Sequence, residues 1–176
     1  LGKKMRFGGF SFPAVLFFRY GTARYERLID DASLGLDMEI HERVIVEGQI
    51  DCLEIPLIHD DFKGLDAYIA RHNAYSSWEA KLRYQFLTTG LYGEETIRPH
   101  FFGNSQERRR WLKALIIRLP FEPWIWFAYH FFICLGFLEG RRGLVACQIR
   151  ASYIAQVRAK VYELQLFARQ FNSSSL

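Results

Sequence analysis

Residues 36–80 read LDMEIHERVIVEGQIDCLEIPLIHDDFKGLDAYIARHNAYSSWEA, and a change of period inside this stretch decides the fold. At its start Leu36, Met38 and Ile40 alternate with Asp37, Glu39 and His41. On a strand, successive side chains leave opposite faces. The three apolar residues then line one side, and two carboxylates and an imidazole line the other. Beyond Asp60 the period becomes helical, with Leu65, Tyr68, Ile69 and His72 spaced i, i+3, i+4, i+7. Short strands followed by helices make the expected class α+β. Asp60 or Asp61 suits the helix start, and the helix is expected to continue or restart at Ser76-Ser77 and end near Thr89, before Gly90.

Three polar knots punctuate this stretch. The first is Asp37, Glu39, His41 and Glu42. The second is His59, Asp60 and Asp61. The third is Arg71, His72 and Asn73. Carboxylates beside an imidazole can hold a cation, accept a proton or grip a hydroxyl. Glu42 falls out of the alternation, and a bulge would return it to the polar side. A solvated strand face explains the first knot equally well from periodicity alone. Helix capping explains the second. His72 falls on the apolar stripe, which favours a satisfied core histidine, whereas Arg71 lies off it and can meet a phosphate.

The 176 residues suffice for one domain with a real core. Half of them are hydrophobic, and 16% are aromatic. The net charge of +4 hides an asymmetry. Residues 1–105 carry 12 basic and 15 acidic side chains, whereas residues 106–176 carry 11 basic and 4 acidic. An acidic, site-bearing part and a basic part facing an anion are expected, with a boundary between residues 1–103 and 104–176. Cys52, Cys134 and Cys147 form no CxxC or zinc pattern, which fits a reducing compartment. The chain starts at Leu1 without a signal segment, as expected of a piece of a longer protein.

Before the central stretch, residues 14–18 (AVLFF) read as a buried strand, residues 20–22 as a turn, and residues 23–28 as a return strand. Residues 43–47 and 49–58 flank Glu47-Gly48 as a plausible hairpin. After it, Asn104 and Glu107 resemble a capping box. Arg108, Arg109, Arg110 and Lys113 crowd the first turns of the helix that follows, and Pro120 and Pro123 break it. Residues 124–138 (WIWFAYHFFICLGFL) carry no formal charge, but they number fewer than the roughly 20 needed to span a bilayer. With Trp124 and Trp126 at its start and Arg141-Arg142 after it, the segment suits a helix lying in or dipping into a membrane face. Residues 143–155 could form the second arm of a helical hairpin. Residues 155–171 look amphipathic, with Val157, Val161, Leu164 and Phe167 on one side. Docking to anionic headgroups is the favoured role of the basic cluster. Nucleic acid is disfavoured because the aromatics look committed to an apolar helix.

The segments LDMEIHERVIVEG, PLIHDDFKGLDAYIARHNAYSSWEA, GNSQERRRWLK, RLPFEPW and LGFLEGRRGL, in this order, resemble the C-terminal half of bacterial family 2 glycosyltransferases. These are membrane-associated, inverting enzymes of lipopolysaccharide and exopolysaccharide assembly. The resemblance implies the remnant of a GT-A α/β fold followed by membrane-associated helices, peripheral or monotopic, at the cytoplasmic face of the bacterial inner membrane. It implies a nucleotide-sugar donor, a lipid-linked glycan acceptor, and a divalent metal, magnesium or manganese. The metal's main ligands are expected in a donor-binding half that this sequence lacks, since no aspartate motif follows an apolar strand. Glu39, His41 and Glu42 are then the candidate catalytic residues, with His41 also toward the metal. Asp37, His59, Asp60 and Arg71 are the candidate substrate contacts, and Arg108, Arg109, Arg110, Lys113, Trp124 and Trp126 the membrane contacts. The rival readings are a non-catalytic membrane-surface scaffold and a metal hydrolase built on His41 and His59.

Overall fold

The computed structural model describes residues 4–10, 15, 17–25, 44–53, 63–90, 99–103 and 105–173. Over these residues the chain is mixed α+β and mostly helical. Two three-residue strands, β1 (Ala23–Tyr25) and β2 (Val44–Val46), pair antiparallel with Ala23 opposite Val46 and Tyr25 opposite Val44. The turn before β1 closes where the Thr22 amide and hydroxyl both donate to the Arg19 carbonyl, at 3.1 and 2.8 Å.

The strand expectations are partly corrected. Phe17 and Phe18 lie in no strand and are exposed, so the end of the AVLFF run is not part of the buried strand its composition suggested. Val44–Val46 pairs back to β1 rather than forward across Glu47-Gly48, and residues 49–53 are in no strand. The Glu47 amide extends the pairing by donating to the Thr22 carbonyl at 2.9 Å. Residues 36–41 lie outside the described residues.

Helix α1 (Gly64–Thr89) is continuous. No restart occurs at Ser76-Ser77, because both hydroxyls donate back to the Asn73 carbonyl and leave the helical ladder intact. Its C-terminus is the expected one: Gly90 takes φ 79°, and its amide returns to the Phe86 carbonyl. Helix α2 (Ser105–Ile117) stops before Pro120, and α3 (Glu122–Ala128) starts with Pro123 in its first turn. The apolar segment then departs from one straight helix. It passes through a π-helical turn, Tyr129–Ile133, reverses at Leu135 with φ 58°, and enters a 3₁₀ turn, Gly136–Glu139. Helix α4 (Arg141–Ser173) closes the fold. Among the described residues no helix is long and apolar enough to cross a membrane.

α1 and α4 pack antiparallel, since Asn73 meets Lys160 while Glu79 meets Tyr153. Among the described residues the core has two parts. Trp78, Leu82, Phe86 and Ile117 join α1 to α2, with Ala114 against them. Ala80, Val157 and Val161 join α1 to α4, with Tyr153 and Leu164 against them. Val157, Val161 and Leu164 therefore face inward as their spacing implied, while Phe167 is exposed. Lys160 staples the two helices: its Nζ lies within 2.8 Å of the Asn73 carbonyl and Oδ1 and of the Ser76 and Ser77 hydroxyls. The α3–3₁₀ hairpin sits against the start of α4, where Gly143 approaches the Gly136 carbonyl so closely that a Cβ would overlap it.

Candidate functional site

The hairpin from α3 through the 3₁₀ turn rests on charge. Glu122, in the first turn of α3, is 1% exposed, and Arg83, on the buried face of α1, is 2% exposed. The Arg83 Nη1 donates to both Glu122 oxygens at 2.8 Å, while its Nε and Nη2 donate to Glu79 Oε1 at 3.0 and 2.8 Å. The Tyr153 hydroxyl donates to Glu79 Oε2 at 2.7 Å, and the Lys113 ammonium stands 3.4 Å from Oε1. The Arg158 Nη1 donates to Glu122 Oε2 at 3.2 Å and to the carbonyls of Ile117 and Leu119, which α2 leaves open at its end. The Trp126 indole completes the shell of Glu122 at 3.4 Å. Burial alone would raise the Glu79 carboxyl. The charges of Lys113 and Arg83 and the hydrogen bonds from Tyr153 and Arg83 override it and hold the group at about 2. Two carboxylates and three cations from α1, α2, α3 and α4 thus meet in one clamp, buried at Arg83 and Glu122 and partly open to water at Lys113 and Arg158.

The outer face of the same hairpin is apolar. Trp124 is 73% exposed and Ile133 72%, and Phe121, Phe132, Phe137 and Leu138 are exposed beside them in the chain. Arg141 and Arg142 follow, both exposed. Arg109, also exposed, is near enough to act on the Tyr129 phenol. The hydrogen bond and charge of Cys134 push that phenol up, as does burial, and Arg109 opposes them. A contiguous chain segment of this kind, rimmed by arginines, suits the boundary between headgroups and acyl chains.

The six predicted membrane contacts split between these two faces. Arg108, Arg109 and Trp124 are exposed. Arg110 is buried, Lys113 turns to Glu79, and Trp126 stacks on His130 with centroids 5.4 Å apart. Arg71 is half-buried, with its guanidinium carbon 6.0 Å from the Tyr68 ring centre. His72 is satisfied within its own helix. Its Nδ1 donates to the Tyr68 carbonyl at 2.8 Å, and its ring stacks on Tyr68 at 3.8 Å. Asp37, Glu39, His41, Glu42, His59, Asp60 and Asp61 lie outside the described residues, as does any contact among them. Among the described residues no three His, Cys, Asp or Glu side chains are grouped to hold a metal ion.

Sequence reasoning did not single out Arg83, Glu122, Tyr153 or Arg158. One signal was present: Glu79 and Arg83 stand at i, i+4 on the stripe that also carries Trp78, Leu82 and Phe86. A charged pair inside an apolar stripe announces a buried partner. Nothing local identified that partner as Glu122.

No family model, no curated protein and no solved structure matches this chain.

Proposed function

We propose that this chain is the acceptor-side, membrane-docking part of an inverting family 2 glycosyltransferase of cell-surface polysaccharide assembly. The ordered motifs motivate the enzyme class. The observation that carries the reading in the structure is the exposed apolar hairpin, with Trp124 and Ile133 in solvent and Arg141 and Arg142 at its base. That surface suits an acceptor anchored in an anionic bilayer. Insertion of its side chains buries hydrocarbon at about 25 cal/mol per Å². Each nearby arginine adds about 1 kcal/mol.

In this reading an acceptor hydroxyl attacks the anomeric carbon of the nucleotide-sugar as the bond to the diphosphate breaks, with inversion. The hydroxyl proton passes to a carboxylate, Glu39 or Glu42. His41 faces the diphosphate, and Asp37, His59, Asp60 and Arg71 contact the substrates. A divalent metal, magnesium or manganese, accompanies the nucleotide-sugar, and no group among the described residues is assigned to it.

Nucleotide-sugar turnover by the full-length protein on vesicles of anionic lipid tests the reading. His41→Ala and Glu42→Ala are expected to lower kcat about 100-fold or more, the usual contribution of a positioned acid–base group. Unchanged turnover in both variants removes the site. Binding without any turnover of the parent protein leaves the membrane scaffold instead.

A further inference from the structure

Residues 6–10 form a second layer on the hairpin. The Gly8 amide donates to the Cys134 carbonyl at 2.7 Å, and the amides of Arg6 and Phe7 donate to Glu139 Oε1 at 2.5 and 2.9 Å. Gly8 and Gly9 take φ +87° and +68°, which lets the backbone lie flat on the hairpin. A Cβ on Gly9 would stand 3.0 Å from His130 Nδ1 and 3.4 Å from Cys134 Sγ. Phe10 stacks on His130 with centroids 6.2 Å apart, alongside the 5.4 Å stack of Trp126. His130 is therefore sandwiched at the seam, 4% exposed.

The chemistry at this seam is asymmetric. His130 Nδ1 lies 2.8 Å from the Gly8 carbonyl, which can only accept, so Nδ1 carries the proton. Nε2 is then a bare lone pair in the neutral ring. It is buried and, among the described residues, has no hydrogen-bond partner. A neutral ring tolerates that at modest cost. A protonated ring places a charge and an unpaired N–H donor in the same spot.

We propose that residues 6–10 are a proton-released strap, held closed over the hairpin by neutral His130 and let go when His130 gains its second proton. This inference is independent of the sugar-transfer reading. The groups around the seam favour release rather than oppose it. Burial lowers the affinity of His130 for a proton, and Arg150, a like charge on α4, lowers it further; the bond to Gly8 works the other way and is overcome. Cys147 on α4 is a thiol pushed up by burial and by Cys134, and Tyr129 is a phenol pushed up by Cys134, so neither offers a negative charge near neutral pH. Arg109 on α2 acts on the neighbouring Tyr129 phenol and brings no negative charge to the seam. Glu122 is already bonded to Arg83, Arg158 and Trp126. Glu139 holds the strap amides. A proton that binds the docked state more weakly than the released state shifts the balance toward release. Release uncovers Trp126, His130 and Cys134 on the hairpin whose outer side carries Ile133.

Hydrogen exchange at the Phe7 and Gly8 amides of the whole chain reads strap closure directly. With intrinsic exchange divided out, protection is expected to fall about 10-fold or more between pH 7.5 and 5.0, with a midpoint below the ordinary histidine value of 6.5. His130→Phe keeps a ring between Phe10 and Trp126 and is expected to lose the pH response. Glu139→Gln, which removes the strap's other titratable anchor, is expected to keep it. Wild-type protection that changes less than twofold overturns the proposal, as does a full pH response in His130→Phe. If His130→Phe fails to fold, the wild-type ring titration followed by NMR decides. Ring protonation and loss of Gly8 protection must share one midpoint, and separate midpoints overturn the proposal.

Discussion

The two sides of the α3 hairpin invert the usual rule of burial. On the inner side Glu122, Arg83 and most of Glu79 are shut away from water, whereas on the outer side Trp124, Phe132 and Ile133 stand in it. Residue polarity did not decide this. Charge was buried where fixed donors and acceptors could match it within hydrogen-bonding distance, and hydrocarbon was left out where no described element of the chain covers it. A buried ion network is costly to desolvate and contributes little net stability, but removing one partner strands the other charge away from water. The clamp therefore fixes where the hairpin points, and the outer face is what it points with.

Disrupting the clamp is expected to have the largest effect. Arg83→Met removes the cation shared by two buried carboxylates and is expected to cost about 3–5 kcal/mol in denaturant unfolding. Arg83→Met combined with Glu122→Met is expected to cost less than the sum of the single changes, because the carboxylate of Glu122 is then no longer stranded without its main cation. A fully additive pair would show that the clamp is not one unit.

Acid probes the same side more gently. Glu79 is held at about 2 against an ordinary 4.5, so it ionises more readily folded than unfolded. Its contribution is fully present above pH 4.5 and is lost as pH falls toward 2. That amounts to roughly 3 kcal/mol at about 1.36 kcal/mol per pH unit. Glu79→Gln is expected to flatten the stability profile across this window, and an unchanged slope would assign acid unfolding to other groups.

The outer side is tested by making it polar. Ile133→Asp is expected to lower binding to anionic vesicles by about 10-fold or more, since burying such a side chain is worth about 1.5–3 kcal/mol. Because Ile133 is already exposed, the unfolding curve should barely move. A large stability loss with unchanged vesicle binding would make this face part of the protein's own packing. The smallest expected effect lies at the junction of the two sides. Gly143→Ala forces a methyl onto the Gly136 carbonyl and should cost about 1–3 kcal/mol, read as a lowered midpoint with the same slope in urea.

How much of this was legible follows from the range of each interaction. The helical period from Leu65 to His72 placed α1, and Gly90 ended it, because spacing and a left-handed residue act within a turn or two. Pro120 and Pro123 separated α2 from α3 for an equally local reason. The split among Arg108, Arg109, Arg110 and Lys113 was not legible, since consecutive helical residues diverge by about 100° and only a neighbouring helix makes one side the inside. The partner of β2 was misread because Glu47-Gly48 has hairpin composition, yet Val44–Val46 is satisfied by the upstream strand Ala23–Tyr25. Asp37, Glu39, His41 and Glu42, expected to form a polar wall, lie outside the described residues.

The end of α1 at Gly90, the proline break between α2 and α3, the α+β class, the charge asymmetry and an apolar segment too short to span a bilayer could be read from the linear chain, whereas the start of α1 at Gly64 and the single long α4 over Arg141–Ser173 could not. The legible properties depend on neighbours a few positions apart. Three further facts came only with packing: Arg83 meets Glu122, His130 is roofed by Gly8, and the hairpin turns its hydrocarbon outward. The first two join residues tens of positions apart or more, and the third follows from which side of the hairpin the clamp holds. Their energy arises from desolvation and charge pairing that exist only once the helices have come together.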